Sequence, residues 1–211
     1  MFEIHITVAT DNIKKFKYDC EFLKIKPIIL DLQDQRTLTT IQQDVMTSSK
    51  HAIKSIKGKY LKTSVFHVPL VELKWKLRNM KYDIIREKIE LDAVYYDKYI
   101  TRIRPHEDDQ YYESHIRVLL DKSKEELLRT ICVNHGFYLY KNILKKSPNA
   151  QEYYLLATLR VYKTTLLKFR INIDKFLIEL LNHYFTFSKV EVEFCLYDSK
   201  TNHDNKWMKN I

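Results

Sequence analysis

The sequence predicts an α+β protein made of two tandem ferredoxin-like (β-α-β-β-α-β) repeats, related by a pseudo-two-fold axis around a shared polar cleft. The first observation is a repeated strand: Glu3–Val8 (Glu-Ile-His-Ile-Thr-Val) returns about half of the 211-residue chain later as Glu113–Val118 (Glu-Ser-His-Ile-Arg-Val). The second is a repeated closing strand, in which Arg86–Leu91 matches Lys189–Phe194. Matches at the start and the end of both halves, in one order, indicate an internal duplication.

A weaker third match lies between these two, where Met46–Ser49 aligns with Ala157–Arg160. The duplication divides the chain into four segments: a first repeat at residues 1–92, a linker at 93–110, a second repeat at 111–197 and a polar tail at 198–211.

In the first repeat, period-two alternation and short apolar runs predict four strands: Phe2–Ala9, Pro27–Leu32, Asp44–Ser49 and Lys81–Leu91. Capping side chains at Thr10–Asn12 open the first helix, which carries a broken apolar stripe. Pro69 is expected at the start of the second helix, since proline is favoured in the first turn. That helix has a regular apolar face made of Leu70, Leu73, Leu77 and Met80.

The second repeat shows the same order of signals. Its predicted strands are Glu113–Leu120, Phe137–Ile143, Tyr153–Tyr162 and Lys189–Leu196. The capping box Ser123–Glu126 opens its first helix, and Gly136 closes it. Its second helix is predicted over Asn172–Tyr184, because Phe176, Leu177, Leu180 and Leu181 form an apolar face.

The chain is basic, with a net charge of +9 and an isoelectric point of about 9.2. Such a charge favours an anionic partner: a phosphorylated small molecule, a nucleotide or a nucleic acid. The densest basic stretch, Lys50–Lys62, is where a non-catalytic binder of nucleic acid or another polyanion would make contact. A solvated basic surface in a lysine-rich protein is the alternative. With only 2 glycines, the sequence contains no Gly-rich phosphate-binding loop.

The cysteines and the apolar runs of the sequence predict the cellular compartment and whether the chain associates with a membrane. The three cysteines, Cys20, Cys132 and Cys195, are odd in number and have no metal-ligand spacing, which favours a reducing, cytoplasmic compartment. No apolar run reaches the roughly 18 residues of a membrane span. The N-terminus lacks a signal-peptide pattern, so we expect no membrane partner.

The repeated strand also carries the first candidate site. On each copy the Glu, the His and the Thr or Arg share one face, while Ile4, Ile6, Ile116 and Val118 are expected in the core on the other. The sequences His5-Ile6-Thr7-Val8 and His115-Ile116-Arg117-Val118 resemble the paired motifs of the two-histidine phosphoesterases.

That resemblance implies that His5 and His115 act as acid and base on a phosphodiester, a cyclic phosphate or a nucleotide-like substrate, with no cofactor required. The phosphate would be held by Thr7, Arg117 and Arg160, the first Arg standing where the family has a hydroxyl residue. Glu3 and Glu113, two positions before the histidines, would orient the imidazoles or bind a metal.

A second resemblance rests on Lys189-Val190-Glu191-Val192-Glu193-Phe194, which is similar to the late carboxylate motif of the triphosphate-tunnel proteins. It implies a closed barrel of antiparallel strands and hydrolysis of a triphosphate with a divalent metal, Mg or Mn. Glu191 and Glu193 would hold that metal. The basic residues that would contact the triphosphate are Arg86, Lys88, Arg117, Arg160 and Lys189. The alternative is a solvated strand face on which Lys and Glu alternate. Phosphodiester hydrolysis is thus the leading hypothesis, with the tunnel-type hydrolase and the polyanion binder as alternatives.

Overall fold

The structure, a computed structural model, describes residues 1–33, 40–51, 64–100, 107–145 and 152–204. Most of the basic stretch Lys50–Lys62 lies outside these ranges, as do residues 101–106 of the predicted linker and 205–211 of the predicted tail.

The described chain contains eight strands and five α-helices. The strands are β1 (Phe2–Ala9), β2 (Lys26–Gln33), β3 (Thr40–His51), β4 (Asp83–Asp92), β5 (Tyr111–Asp121), β6 (Tyr138–Asn142), β7 (Glu152–Tyr162) and β8 (Thr186–Asp198). The helices are α1 (Ile13–Phe22), α2 (Ser64–Asn79), α3 (Ala93–Tyr95), α4 (Glu125–Asn134) and α5 (Leu166–Asn182). A π-helical turn covers Tyr96–Ile100, and 3-10 turns cover Lys122–Lys124 and Thr201–Asp204.

The predicted fold class, two tandem ferredoxin-like repeats around a shared polar cleft, is wrong. The strands form one closed barrel in the order β1-β3-β2-β6-β7-β5-β8-β4. Strands that would be sheet edges in separate repeats are paired instead, β2 with β6 and β4 with β8. Closure satisfies the backbone N–H and C=O groups that an edge strand would leave unpaired.

By packing, the described residues divide into two compact units. The first unit comprises residues of Met1–Ile28, Asp44–Gln110 and Phe194–Thr201. The second comprises residues of Ile29–Gln43, Tyr111–Glu193 and Asn202–Ile211.

In the first unit, β1 separates an apolar face from a polar one. Phe2, Ile4 and Ile6 are buried, and the ring of Phe2 meets that of Phe66 on α2 with centroids 4.9 Å apart. The polar residues of β1 therefore lie on the face turned away from α2. There His5 is paired with Ser48 on β3 and with Lys88 on β4.

The second unit repeats this arrangement around β5. Ile116 and Val118 are fully buried, as predicted, and Tyr112 stacks on Phe169 of α5 with ring centroids 5.6 Å apart. Glu113, His115 and Arg117 belong to the opposite face of the strand. The register with β7 places Glu113 beside Arg160 and His115 beside Thr158.

The second helix of each half begins earlier than predicted. Helix α2 starts at Ser64, so Pro69 lies inside it rather than at its start. Packing of the buried Phe66 on Phe2 outweighs the backbone hydrogen bond that proline cannot donate. Helix α5 starts at Leu166, where the side chain of Thr165 accepts a hydrogen bond from the backbone N–H of Lys168. None of the described helices is long and apolar enough to cross a membrane.

The three cysteines are free and buried. Burial raises the pKa of Cys20 to about 12, so this thiol stays protonated at neutral pH. Burial likewise raises the pKa of Cys132, in α4. Both thiols therefore pack as small apolar groups rather than as nucleophiles.

Candidate functional site

The richest polar arrangement of the second unit surrounds the histidine of β5. We call it the His115 cluster, and it consists of Glu113, His115, Tyr140, Thr158, Arg160, Glu193 and Asp204. Strand alternation puts Glu113 and His115 on one face, and the antiparallel register adds Thr158 and Arg160 from β7. Tyr140 comes from β6, and Asp204 comes from the last 3-10 turn.

The imidazole of His115 is oriented through its Nδ1 atom. Nδ1 lies 2.8 Å from Oγ1 of Thr158 and 3.2 Å from the hydroxyl of Tyr140. In the tautomer that carries the proton on Nδ1, this N–H donates to Thr158 and the lone pair belongs to Nε2. The hydroxyl groups that contact Nδ1 thus fix the orientation of the imidazole ring, and with it the direction in which Nε2 points.

Nε2 of His115 faces two carboxylates. It lies 3.5 Å from Oε2 of Glu113 and 3.9 Å from Oε2 of Glu193. Both distances exceed a normal hydrogen bond. A lone pair on Nε2 is repelled by the two carboxylate oxygens, whereas a cation placed beside these three atoms would be attracted by all of them.

A buried guanidinium holds the other side of Glu113. Nε and Nη2 of Arg160 donate to Oε1 of Glu113 at 2.9 and 2.7 Å, and Nη2 also donates to Oδ2 of Asp204 at 2.7 Å. The guanidinium carbon lies 4.3 Å from the ring centroid of Tyr111. Burial acts to lower the pKa of Arg160, but Glu113, Tyr111 and Asp204 hold that pKa well above its usual value. Arg160 is therefore a permanent cation between two carboxylates.

Arg117, the other arginine predicted to bind phosphate, shares the strand face of His115. Its guanidinium carbon lies 5.8 Å from the ring centroid of Tyr154. Its Nε atom is buried and, among the residues that the structure describes, has no hydrogen-bond partner. A buried donor without a partner is costly, and an oxygen of a bound anion would relieve that cost.

Of the late carboxylate motif, the structure brings Glu193 close to His115. Glu191 instead pairs with Lys189, with 2.6 Å between Oε1 and Nζ, and both side chains are about one-third to one-half exposed. Lys189 adopts a left-handed backbone with φ of 55°, an irregularity near the start of β8. The predicted metal contact of Glu191 and triphosphate contact of Lys189 stay predictions.

The histidine of the first unit has a related surrounding, which we call the His5 cluster: Glu3, His5, Ser48, Lys88 and Glu90. Nε2 of His5 lies 3.0 Å from Oε2 of Glu90 and 3.6 Å from Oε1 of Glu3. Ser48 donates a short hydrogen bond to Glu3, and Nζ of Lys88 lies 2.5 Å from Oε1 of Glu90. Nε2 of His5 thus lies within hydrogen-bond distance of a carboxylate oxygen, whereas Nε2 of His115 is farther from both of its carboxylates.

Thr7 is buried on the same strand, paired with Arg86 on β4. That arginine holds Asp198, with Nε to Oδ1 at 2.9 Å and Nη2 to Oδ2 at 2.6 Å. Since His5 and Thr7 belong to the first unit and His115 and Arg117 to the second, their predicted convergence on one phosphate stays a prediction.

Two buried carboxylates were not predicted: Asp204 of the His115 cluster, and Asp198, which pairs with Arg86 in the first unit. Both fell in a segment expected to be a polar tail, yet both are buried and paired with arginines. Thr158 carried a signal, the weak third-strand match, but that match set it against Thr47. The strand registers instead make Ser48 and Thr158 equivalent, because each sits beside the histidine of its unit.

The electrostatics of Glu3 predict a pH dependence of stability. Burial acts to raise the pKa of Glu3, but His5, the Ser48 hydrogen bond and Lys50 together bring the pKa below its ordinary value of 4.5. A carboxyl whose folded-state pKa is depressed stabilises the fold above pH 4.5 and loses that contribution as the pH falls through the folded-state pKa.

We therefore expect Glu3→Gln to be less stable than the parent protein at pH 7, with the difference shrinking at acidic pH. Urea unfolding of both proteins at pH 7 and at about pH 3.5 measures this difference in the free energy of unfolding. An equal difference at the two pH values would contradict the assigned charge state of Glu3.

No protein-family model matches this sequence, and no curated protein matches it either.

Proposed function

We propose that the protein is a divalent-cation-dependent hydrolase of triphosphate-bearing substrates, with the cation held by Glu113, His115 and Glu193. One observation carries the proposal. Nε2 of His115 faces carboxylate oxygens of Glu113 and Glu193 at 3.5 and 3.9 Å, while Nδ1 is already held by hydroxyl groups. A nitrogen and two carboxylate oxygens, with the ring oriented from behind, form a donor set suited to a divalent metal.

The two separations from Nε2 of His115, to Glu113 and to Glu193, are close to those between ligands of a small cation. Ligand distances of about 2.1 Å place neighbouring ligands of an octahedral ion roughly 3 Å apart. The separations of Nε2 from Glu113 and from Glu193 exceed this by less than about 1 Å, and rotation of the Glu193 side chain would bring its carboxylate closer. Because Mg²⁺ prefers oxygen ligands and an imidazole suits later metals, this donor set favours Mn²⁺ over Mg²⁺.

The strand topology supports the same proposal. A closed barrel of antiparallel strands is what the resemblance to the triphosphate-tunnel proteins implies, and the described strands form one. The net charge of +9 favours a highly anionic substrate such as a triphosphate.

Each residue then has a defined task. A bound divalent cation would offset the charge that develops on the phosphate oxygens. Glu113 and Glu193 supply the negative charge of its site, and His115 supplies the neutral nitrogen, held in place by Thr158. Arg117 donates its buried Nε–H to a phosphate oxygen, which removes the cost of an unpaired donor.

Phosphodiester hydrolysis by a histidine pair remains the second candidate. It is favoured by the occurrence of His5 and His115 at equivalent strand positions, each next to a hydroxyl residue on the neighbouring strand. Its acid–base mechanism needs each Nε2 to reach a reacting atom. In the first unit, Nε2 of His5 is engaged by Glu90 at 3.0 Å. The polyanion-binding hypothesis stays a prediction, because most of its basic stretch lies outside the described residues.

Titration with Mn²⁺, followed by the paramagnetic resonance of the free ion, tests the cation site. We expect the parent protein to bind one Mn²⁺ and to hydrolyse inorganic triphosphate in its presence. Glu193→Gln should lower the affinity about 100-fold, since it removes a charged ligand, whereas Glu191→Gln, two positions away, should change it far less. Absence of Mn²⁺ binding by the parent protein, or equal losses in both variants, would overturn the proposal.

A further inference from the structure

We propose that Asp204, in the 3-10 turn Thr201–Asp204, is a positioning residue for this cation site and acts through Arg160 on Glu113. The inference rests on the proposed function, since Glu113 is one of the residues proposed to hold the cation. Asp204 lies in the segment that the sequence presents as a polar tail, and no motif points to it.

The chain of contacts begins at Glu113. Arg160 donates to Oε1 of this carboxylate through both Nε and Nη2. Anchoring Oε1 from two nitrogens limits rotation of the carboxylate, so Oε2 stays directed at Nε2 of His115, 3.5 Å away. The orientation of Arg160 thus sets the position of one cation ligand.

Asp204 in turn holds Arg160. Its Oδ2 accepts from Nη2 at 2.7 Å, and the aspartate is 4% exposed. The turn itself is tied down by its neighbouring residue, because Nε2 of His203 lies 3.1 Å from Nε2 of Gln42. The guanidinium is therefore clamped between two carboxylates above the Tyr111 ring.

Charge gives a second reason for the coupling. Arg160 bound to Glu113 alone would offset most of the negative charge of that carboxylate and weaken its attraction for a cation. When Arg160 also binds Asp204, the three side chains Glu113, Arg160 and Asp204 together carry one more negative charge than Glu113 and Arg160 alone. Loss of the aspartate charge therefore acts in the same direction as loss of the clamp, toward weaker cation binding.

The first unit contains a matched pair for comparison. Arg86 and Asp198 form a buried bidentate ion pair with distances of 2.9 and 2.6 Å, and Asp198 comes from the same C-terminal part of the chain. No cation ligand has been assigned to that pair. Its loss should affect folding alone, which makes Asp198→Asn the control for a purely structural role.

The test compares Mn²⁺ affinity and thermal stability for the parent protein, Asp204→Asn and Asp198→Asn, all as full-length chains. Mutation of a residue that orients a metal ligand typically lowers the affinity for the metal about 10–100-fold. We expect Asp204→Asn to weaken Mn²⁺ binding by about that factor, and Asp198→Asn to leave the affinity within about twofold while lowering the melting temperature. A third variant, Asp204→Glu, restores the charge and should recover part of the affinity.

Should Asp204→Asn fail to fold, His203→Ala loosens the same turn with the aspartate in place and should lower Mn²⁺ affinity by a smaller factor. If Asp204→Asn folds and binds Mn²⁺ as tightly as the parent protein, the inference is overturned and the cation site stands. If Asp204→Asn does not fold, the same affinity in a folded His203→Ala protein has the same meaning. Equal losses of affinity in the Asp204 and Asp198 variants would assign both residues to folding and also overturn it. No Mn²⁺ binding by the parent protein would instead reject the proposed function itself.

Discussion

Replacing Arg160 by methionine should lower the free energy of unfolding by about 3–5 kcal/mol, the usual cost of removing one partner from a buried ion pair. Arg160 faces Glu113 and Asp204, and all three side chains are almost fully buried. Without the guanidinium, two carboxylates lose their shared cation in a region of low polarity. Total stabilities of domains are about 5–15 kcal/mol, so this single change removes a large fraction.

Urea unfolding at pH 7 measures this effect, and the triple variant Arg160→Met/Glu113→Gln/Asp204→Asn is its control. Neutralising the carboxylates together with the arginine leaves no uncompensated charge, so the triple variant should be more stable than Arg160→Met alone. If Arg160→Met costs less than about 1 kcal/mol, as exposed ion pairs do, the burial described for this group is wrong.

The individual strands and helices could be predicted because their signals are local. Alternation along Phe2–Ala9 predicts β1 to the residue, and the capping side chains before Ile13 mark the start of α1. Closure of the sheet could not be predicted in this way. It depends on pairs such as Leu30 with Asn142 and Leu32 with Tyr140, which join distant parts of the chain and leave no local pattern.

The start of α5 is marked by local signals in the sequence. Thr165 is a favourable N-cap, and Leu166, Phe169 and Ile173 continue the spacing of the buried face that includes Phe176. The start of α2 is different, because Pro69 inside the helix contradicts local preference. The packing of Phe66 against Phe2, a tertiary contact, supports the turn that precedes Pro69.

The part of the candidate site that lies on one face of a single strand could be predicted from the sequence. Glu113 and His115 share a face by alternation, and their partners on β7 depend on register. The sequence match was shifted by one residue, setting Thr47 rather than Ser48 against Thr158. A shift of one residue reverses every side chain of a strand, so Thr47, which is paired with Ile6, belongs to the apolar face. Asp204 lacks any periodic context, and the role proposed for it rests on tertiary contacts alone.

Removing the imidazole in His115→Ala should lower Mn²⁺-dependent turnover of inorganic triphosphate by roughly 100-fold or more, because one of the proposed cation ligands is lost. His5→Ala should keep Mn²⁺ binding, since the first-unit histidine is paired with Glu90. The control is His67→Ala, which removes an exposed histidine of α2. Steady-state kinetics with and without Mn²⁺ make the comparison.

The two reaction classes separate in this experiment because they assign different tasks to equivalent histidines. Hydrolysis by a histidine pair requires both imidazoles for proton transfer and no metal, so both variants would lose turnover of a cyclic nucleotide without Mn²⁺. Hydrolysis at a cation site requires His115 as a ligand, so the loss should be confined to that variant and to Mn²⁺-dependent turnover. Equal, metal-independent losses in His5→Ala and His115→Ala would reject the cation mechanism in favour of acid–base catalysis by the pair.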